Sequence, residues 1–109
     1  MSSELHLKQD PTLGDLQQYV RELVVERGFK DDVASKFMLL TEEVGEFAKA
    51  ARKHAGMGYA TDVAPQNVAD EAADILIVML ALCNMMGVDL EQAFRDKEER
   101  NKLRVWKKA

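Results

Sequence analysis

The stretch that decides the fold is DEAADILIVML, residues Asp70 to Leu80. It opens on acids, Glu71 and Asp74 among them, and then runs without a charge from Ile75 to Cys83. Three-residue spacing puts these two carboxylates on one face of a helix. The apolar run extends that helix to a stop at Gly87, which predicts an element over about residues 66–86. Between Ile75 and Met86 it is apolar nearly all round, so it must be covered on most sides. Three further helices from a chain of 109 residues would have difficulty covering it alone. Other subunits are expected to help, in a homodimer or a homotetramer built as a dimer of dimers.

Working outward, helical periodicity dominates and no window shows sustained strand alternation. Asp10, Pro11 and Thr12 form a start signal, since proline suits a first turn and Asp or Thr can cap free amides. Leu13, Leu16, Tyr19, Val20, Leu23 and Val24 follow at three- and four-residue spacing. They make one apolar face, which Gly28 ends. Asp31 or Asp32 caps a second helix, Val33 to about His54, whose apolar positions include Phe37, Leu40, Val44, Phe47, Ala48 and Ala51. Ala55 to Asn67 reads as the connecting loop. Asp89 with Gln92 resembles a capping box, opening a fourth helix through Leu90 and Phe94 toward Leu103. The expectation is an all-α, four-helix bundle-like architecture in a single domain over residues 1–109, with 1–10 as an N-terminal arm and 105–109 as a basic tail.

Composition narrows the function. A net charge of −4 with no dense basic block disfavours nucleic-acid binding through phosphate neutralisation. Hydrophobic residues make up 47% and charged residues 31%, ordinary for a soluble helical protein. The single Cys83 forbids an intramolecular disulfide framework and fits a reducing compartment. The N-terminus lacks the pattern of a secretory signal, and Ile75 to Cys83 is far short of a membrane span. A cytoplasmic protein with no membrane partner is expected.

The chemistry lies in four acids. Glu43 with Glu46, and Glu71 with Asp74, are two pairs three residues apart. The first face continues to Leu39 and Ala50, and the second to Val78 and Ala81, so both pairs extend apolar stripes toward another helix. Asp96 and Glu99 share the spacing but sit among alternating charges in RDKEERNK, a solvated face laced with local partners. If the two long helices pack antiparallel, the first two pairs can meet. Four anions about 6 Å apart would repel by roughly 3 kcal/mol per pair at an effective dielectric near 20. All six pairs would cost on the order of 15 kcal/mol, a whole domain's stability. Either the acids stay apart, or they are partly protonated, or cations bind between them. With no His or Cys nearby, the ion would be a hard, oxygen-seeking one, and Mg²⁺ fits best. A di-iron centre would want Glu-x-x-His pairs, and neither His6 nor His54 follows a Glu by three.

Glu43-x-x-Glu46, then 24 residues, then Glu71-x-x-Asp74 resembles the motif of the MazG-like all-α nucleoside triphosphate pyrophosphohydrolases. LLTEEVGEFAKA and DEAADILIVML are similar to the two helices that carry it, and the likeness covers roughly Leu13 to Arg104. The resemblance implies Mg²⁺-dependent hydrolysis of a nucleoside triphosphate to monophosphate and pyrophosphate, by attack at the α-phosphorus, with Mn²⁺ as a substitute ion. It implies metal ligation by Glu43, Glu46, Glu71 and Asp74. Glu42 matches a frequent acidic position, with a role in outer contacts or in orienting the water. Lys97, Asn101 and Arg104 match a Lys-x-x-x-Asn-x-x-basic pattern, which suggests phosphate contacts. The related phosphoribosyl-ATP pyrophosphohydrolase of histidine synthesis is the nearest enzyme alternative. A helical oligomerisation module without activity is the other.

Glycine-rich phosphate loops of the Walker type are absent from the sequence, so metal and side chains would do the binding. Lys53, seven residues after Glu46, shares its face and is a candidate phosphate contact or a solvated helix-end residue. Phe37 is a candidate for stacking on the base, or else a core aromatic; Tyr19 and Trp106 are weaker candidates. Met57 to Tyr59 reads as a lid with glycine hinges or as a plain connector.

Overall fold

A computed structural model describes residues 3–56 and 65–107. It contains α1 (Leu13–Glu26), α2 (Val33–His54), α3 (Pro65–Met85) and α4 (Leu90–Lys102), and no strand among the described residues. The all-α reading holds, with boundaries within a residue or so of those the sequence predicts. Met57 to Tyr59 lies outside the described residues.

Local chemistry sets the boundaries. Thr12 accepts the Asp15 N–H at 3.0 Å while the Asp15 carboxylate accepts the Thr12 N–H at 3.0 Å, a reciprocal capping box. Pro11 therefore stands just before the cap and not in the first turn. Asp32, not Asp31, caps α2 by accepting the Ser35 N–H at 2.7 Å; Asp31 pairs with the buried Lys36 at 2.7 Å. At α4 only half of the expected box forms. Asp89 accepts the Gln92 N–H at 3.1 Å, but the Gln92 amide reaches forward to Asp96 at 2.9 Å. Leu103 caps α4 from outside and is 85% exposed. Gly28 and Gly87 follow α1 and α3 with φ of 68° and 70°. Each lets the next residue's N–H fold back, Phe29 to the Val24 carbonyl at 3.0 Å and Val88 to the Cys83 carbonyl at 2.8 Å, a turn that glycine enters without steric cost.

Three helix pairs do the packing: α2 with α3, α1 with α3, and α1 with α4. Lys36 lies beside Ala81 and Met85 while Ala50 lies beside Asn67, so α2 and α3 run antiparallel. Val20 and Leu23 of α1 meet Leu80 and Ala81 of α3 in the core, ringed by Leu13, Leu16, Tyr19, Val24 and Leu90. Cys83 is buried, and burial raises its thiol pKa, the behaviour of a small core hydrophobe. α4 leaves α3 at 96° and crosses α1 instead of folding back along α2. A polar clamp holds that corner. The Gln17 amide donates to Asn84 Oδ1 at 3.0 Å and to the Val88 carbonyl at 2.6 Å, and its oxygen accepts the Leu90 N–H at 3.0 Å. Asn84 returns a bond to the Gln17 carbonyl at 3.1 Å.

The apolar positions expected on α2 divide between two faces. Leu40, Phe47 and Ala51 are half-buried toward α3, but Phe37, Val44 and Ala48 are exposed. On α3, Leu76, Ile77 and Met85 are between 38% and 40% exposed, and Met86 just beyond it is 48% exposed. The radius of gyration is 16.9 Å, against about 13 Å for a compact chain of this length. The surface is 8578 Å², where a compact monomer would show about 6,100 Å². No single helix among the described residues is long and apolar enough to cross a membrane.

Replacing Gln17 by Ala strands the Leu90 N–H and two acceptors at a partly buried corner. Gln17→Ala should lower unfolding stability by about 2 kcal/mol, read by urea denaturation. Gln18→Ala, on the exposed side of the same turn, should change it by less than about 0.5 kcal/mol.

Candidate active site

The antiparallel α2–α3 pair brings three of the four acids together. Glu43 from α2 and Glu71 and Asp74 from α3 each present one carboxylate oxygen, and all three oxygens lie within 4.8 Å of one another. Glu43 and Glu71 are half-buried and Asp74 is exposed. Glu46 is exposed and outside this trio; it lines a small pocket with Lys49, Ala50, Lys53, Asn67 and Glu71. Glu42 is exposed on α2.

The electrostatics are those of an unneutralised cluster. Among the described residues no donor or cation lies within bonding reach of these five acids. Burial raises the Glu43 pKa above its ordinary value, and the charges of Asp74, Glu71, Glu42 and Glu46 raise it further. Asp96 and Glu99 behave differently, as their sequence context predicts: Asp96 accepts from Gln92 at 2.9 Å, and Glu99 pairs with Lys102 at 3.0 Å in solvent.

An oxygen-only set suits a hard cation, Mg²⁺ or Mn²⁺. Oxygens on one Mg²⁺ sit about 2.1 Å from it, so opposite ligands are about 4.2 Å apart. Adjacent ligands are about 3.0 Å apart, so oxygens that lie within 4.8 Å of one another would draw inward to share one ion. The donor chemistry fits.

The remaining candidates are scattered. Lys53 is half-buried beside Glu71 and Glu46. Phe37 is 45% exposed on α2, two turns before the trio. Tyr19 belongs to the core edge. Lys97 and Asn101 sit on α4 and Arg104 just beyond it, on the helix that packs on α1. Arg104 stacks on Trp106 at 4.3 Å, and the Trp106 indole donates to the Asn101 carbonyl at 3.2 Å. The single chain does not pack these three against the acids. Lys49 and Asn67 were not singled out in the sequence, although Lys49 stands three residues after Glu46 and Asn67 four before Glu71.

Carboxylates gathered on an antiparallel helix pair, with lysines beside them and no glycine-rich phosphate loop, define the class of all-α pyrophosphohydrolases. The model of the phosphoribosyl-ATP pyrophosphohydrolase family matches residues 12–101, and the chain belongs to that family. Over 70 residues it is also 34% identical to a dATP/dGTP diphosphohydrolase of Cyanophage S-2L. That match covers 64% of this chain and 54% of the phage protein, so the chain spans about half the length of that relative. The family model is that of the alternative enzyme in the sequence reading, and the relative's name is closer to the leading one.

The raised Glu43 pKa fixes the sign of a pH effect. A carboxyl that binds its proton more tightly when folded stabilises the fold below its unfolded pKa, and that contribution is lost as pH rises through the folded value. In metal-free protein, stability should therefore fall as pH rises upward from about 4.5, the ordinary value. Glu43→Gln should flatten this slope and raise the melting temperature at pH 7, checked by calorimetry in chelator. An unchanged slope would assign the effect elsewhere.

Proposed function

We propose that this chain hydrolyses nucleoside triphosphates, purine deoxynucleotides foremost, to the monophosphate and pyrophosphate in a Mg²⁺-dependent reaction. The observation that carries the reading is the convergence of the Glu43, Glu71 and Asp74 oxygens without a counter-charge. Family membership supports a pyrophosphohydrolase, and the phage relative's name supports dATP and dGTP as substrates. Phosphoribosyl-ATP is the second reading, favoured by the family model that matches.

Glu43, Glu71 and Asp74 would hold the ion, with Glu46 completing the set through its exposed carboxylate. Bound there, a divalent ion would neutralise phosphate oxygens and acidify a coordinated water. Attack falls on the α-phosphorus, and the bond to the bridging α,β-oxygen breaks so that pyrophosphate leaves. Glu46 or Glu42, both exposed beside the trio, orients the water and accepts its proton. Lys53 offers charge to the departing phosphates, and Phe37 a ring face to the base. Lys97, Asn101 and Arg104 contribute from α4 of a second copy, since α4 turns away from its own α2–α3 pair. The open apolar faces of α2 and α3 support a homodimer or a dimer of dimers. Cytoplasmic nucleotide-pool cleaning is the role that fits.

A pyrophosphate-release assay with Mg²⁺ across dATP, dGTP, the pyrimidine triphosphates and phosphoribosyl-ATP separates the readings. Purine deoxynucleotides should turn over fastest. Asp74→Asn and Glu71→Gln should each cut kcat by about 100-fold or more while circular dichroism stays helical. Release of orthophosphate, or no turnover on any triphosphate, would overturn the proposal. Analytical ultracentrifugation at micromolar concentration should show a dimer or tetramer, and a stable monomer would remove the second copy from the site.

A further inference from the structure

The acids are flanked, on the side toward the α2–α3 connection, by a pocket of about 150 Å³ lined by Glu46, Lys49, Ala50, Lys53, Asn67 and Glu71. Its two walls follow from helix spacing. Glu46, Lys49 and Lys53 recur at three and four residues along one stripe of α2, with the small, buried Ala50 between them. Asn67 and Glu71, four apart, face them from α3. Glu71 belongs to both this pocket and the carboxylate trio, so the two adjoin.

The lysines do not close on the acids. A Lys three residues after a Glu on a helix is a ready ion pair, and Glu71 lines the same cavity. Yet among the described residues neither Lys49 nor Lys53 lies within ion-pair distance of any carboxylate. Two cations and an amide therefore surround a space beside the reacting centre with their donors unspent.

Charge also changes along the length of α2. Toward the α2 N-terminus from Glu43 come Met38 and Phe37, exposed and apolar. Toward the C-terminus come Lys49 and Lys53, about 9 and 15 Å along the axis at 1.5 Å per residue.

We infer that Lys49, Lys53 and Asn67 form a pyrophosphate subsite, which takes the β- and γ-phosphates of the substrate and holds the diphosphate product. This rests on the triphosphate reading above, but it can be tested without turnover. Inorganic pyrophosphate with Mg²⁺ is titrated calorimetrically into the wild type, the Lys49→Ala/Lys53→Ala double variant, Asn67→Ala and a Lys102→Ala control, with dAMP titrated in parallel.

The double variant should bind pyrophosphate at least about ten-fold more weakly, and Asn67→Ala should weaken it by a smaller factor. Affinity for dAMP and the control's affinity for pyrophosphate should not change, and Lys49→Arg/Lys53→Arg should restore most of the loss. In turnover, the double variant should raise KM and relieve inhibition by pyrophosphate but not by dAMP. Unchanged pyrophosphate affinity in a double variant of native helicity would overturn the subsite, as would an equal loss in Lys102→Ala. A wild type that binds pyrophosphate through these lysines but hydrolyses nothing would sink the catalytic reading and leave the subsite standing.

Discussion

Repulsion among Glu43, Glu71 and Asp74 is the constraint on which the rest depends. Three carboxylates within 5 Å of each other cost roughly 3 kcal/mol per pair at an effective dielectric near 20. Solvent screens much of that, since Asp74 is exposed and Glu43 and Glu71 are half-buried, but no cation among the described side chains offsets the rest. The helix pair must therefore be held together by something remote from the acids. The core supplies that at the other end of α3, where Leu80 and Ala81 meet Val20 and Leu23, and the Gln17–Asn84 clamp fixes the corner beyond it. The binding end is strained and the anchored end is apolar, an arrangement in which a cation added at the site stabilises the fold by mass action.

The helices were legible in the sequence because their signals are local. Caps, glycine stops and three-four spacing act within one turn, and Thr12, Asp32, Gly28 and Gly87 all do what their chemistry dictates. What was not legible is set by tertiary geometry. Gln92 was expected to complete a capping box, but its amide had Asp96 within reach on the next turn. Gln17 sits in an apolar stripe, and only the 96° corner between α3 and α4 gives it three partners. Val44 and Ala48 read as core by period alone, yet among the described residues α2 packs chiefly on α3, so one face stays open.

For the candidate site, spacing carried the reading and register refined it. The i,i+3 rule paired the acids, and the contrast with Asp96 and Glu99 separated a converging cluster from a pair with local partners in solvent. The rule could not say that Glu46 would point past the trio into the lysine pocket, because which of two acids on one face reaches across depends on how α2 and α3 slide against each other. Lys49 and Asn67 escaped notice for the same reason. Each is ordinary on its own helix and becomes informative only opposite the other.

The two substrate readings share every group at the acids, since both release a diphosphate from a triphosphate chain. Neither the trio nor the lysine pocket can distinguish a purine deoxynucleotide from phosphoribosyl-ATP, because the phosphates they would contact are common to both. Selection must come from the nucleoside end, where the chain offers Phe37, Met38 and Val44 exposed on a helix with no second wall. A flat, one-sided surface cannot enclose a base. In the proposed homo-oligomer another copy of the chain would supply the missing wall, so specificity and assembly would meet at one surface. Substitutions on the open face of α2 would then change both the preferred base and the oligomer, while substitutions at the acids would change neither.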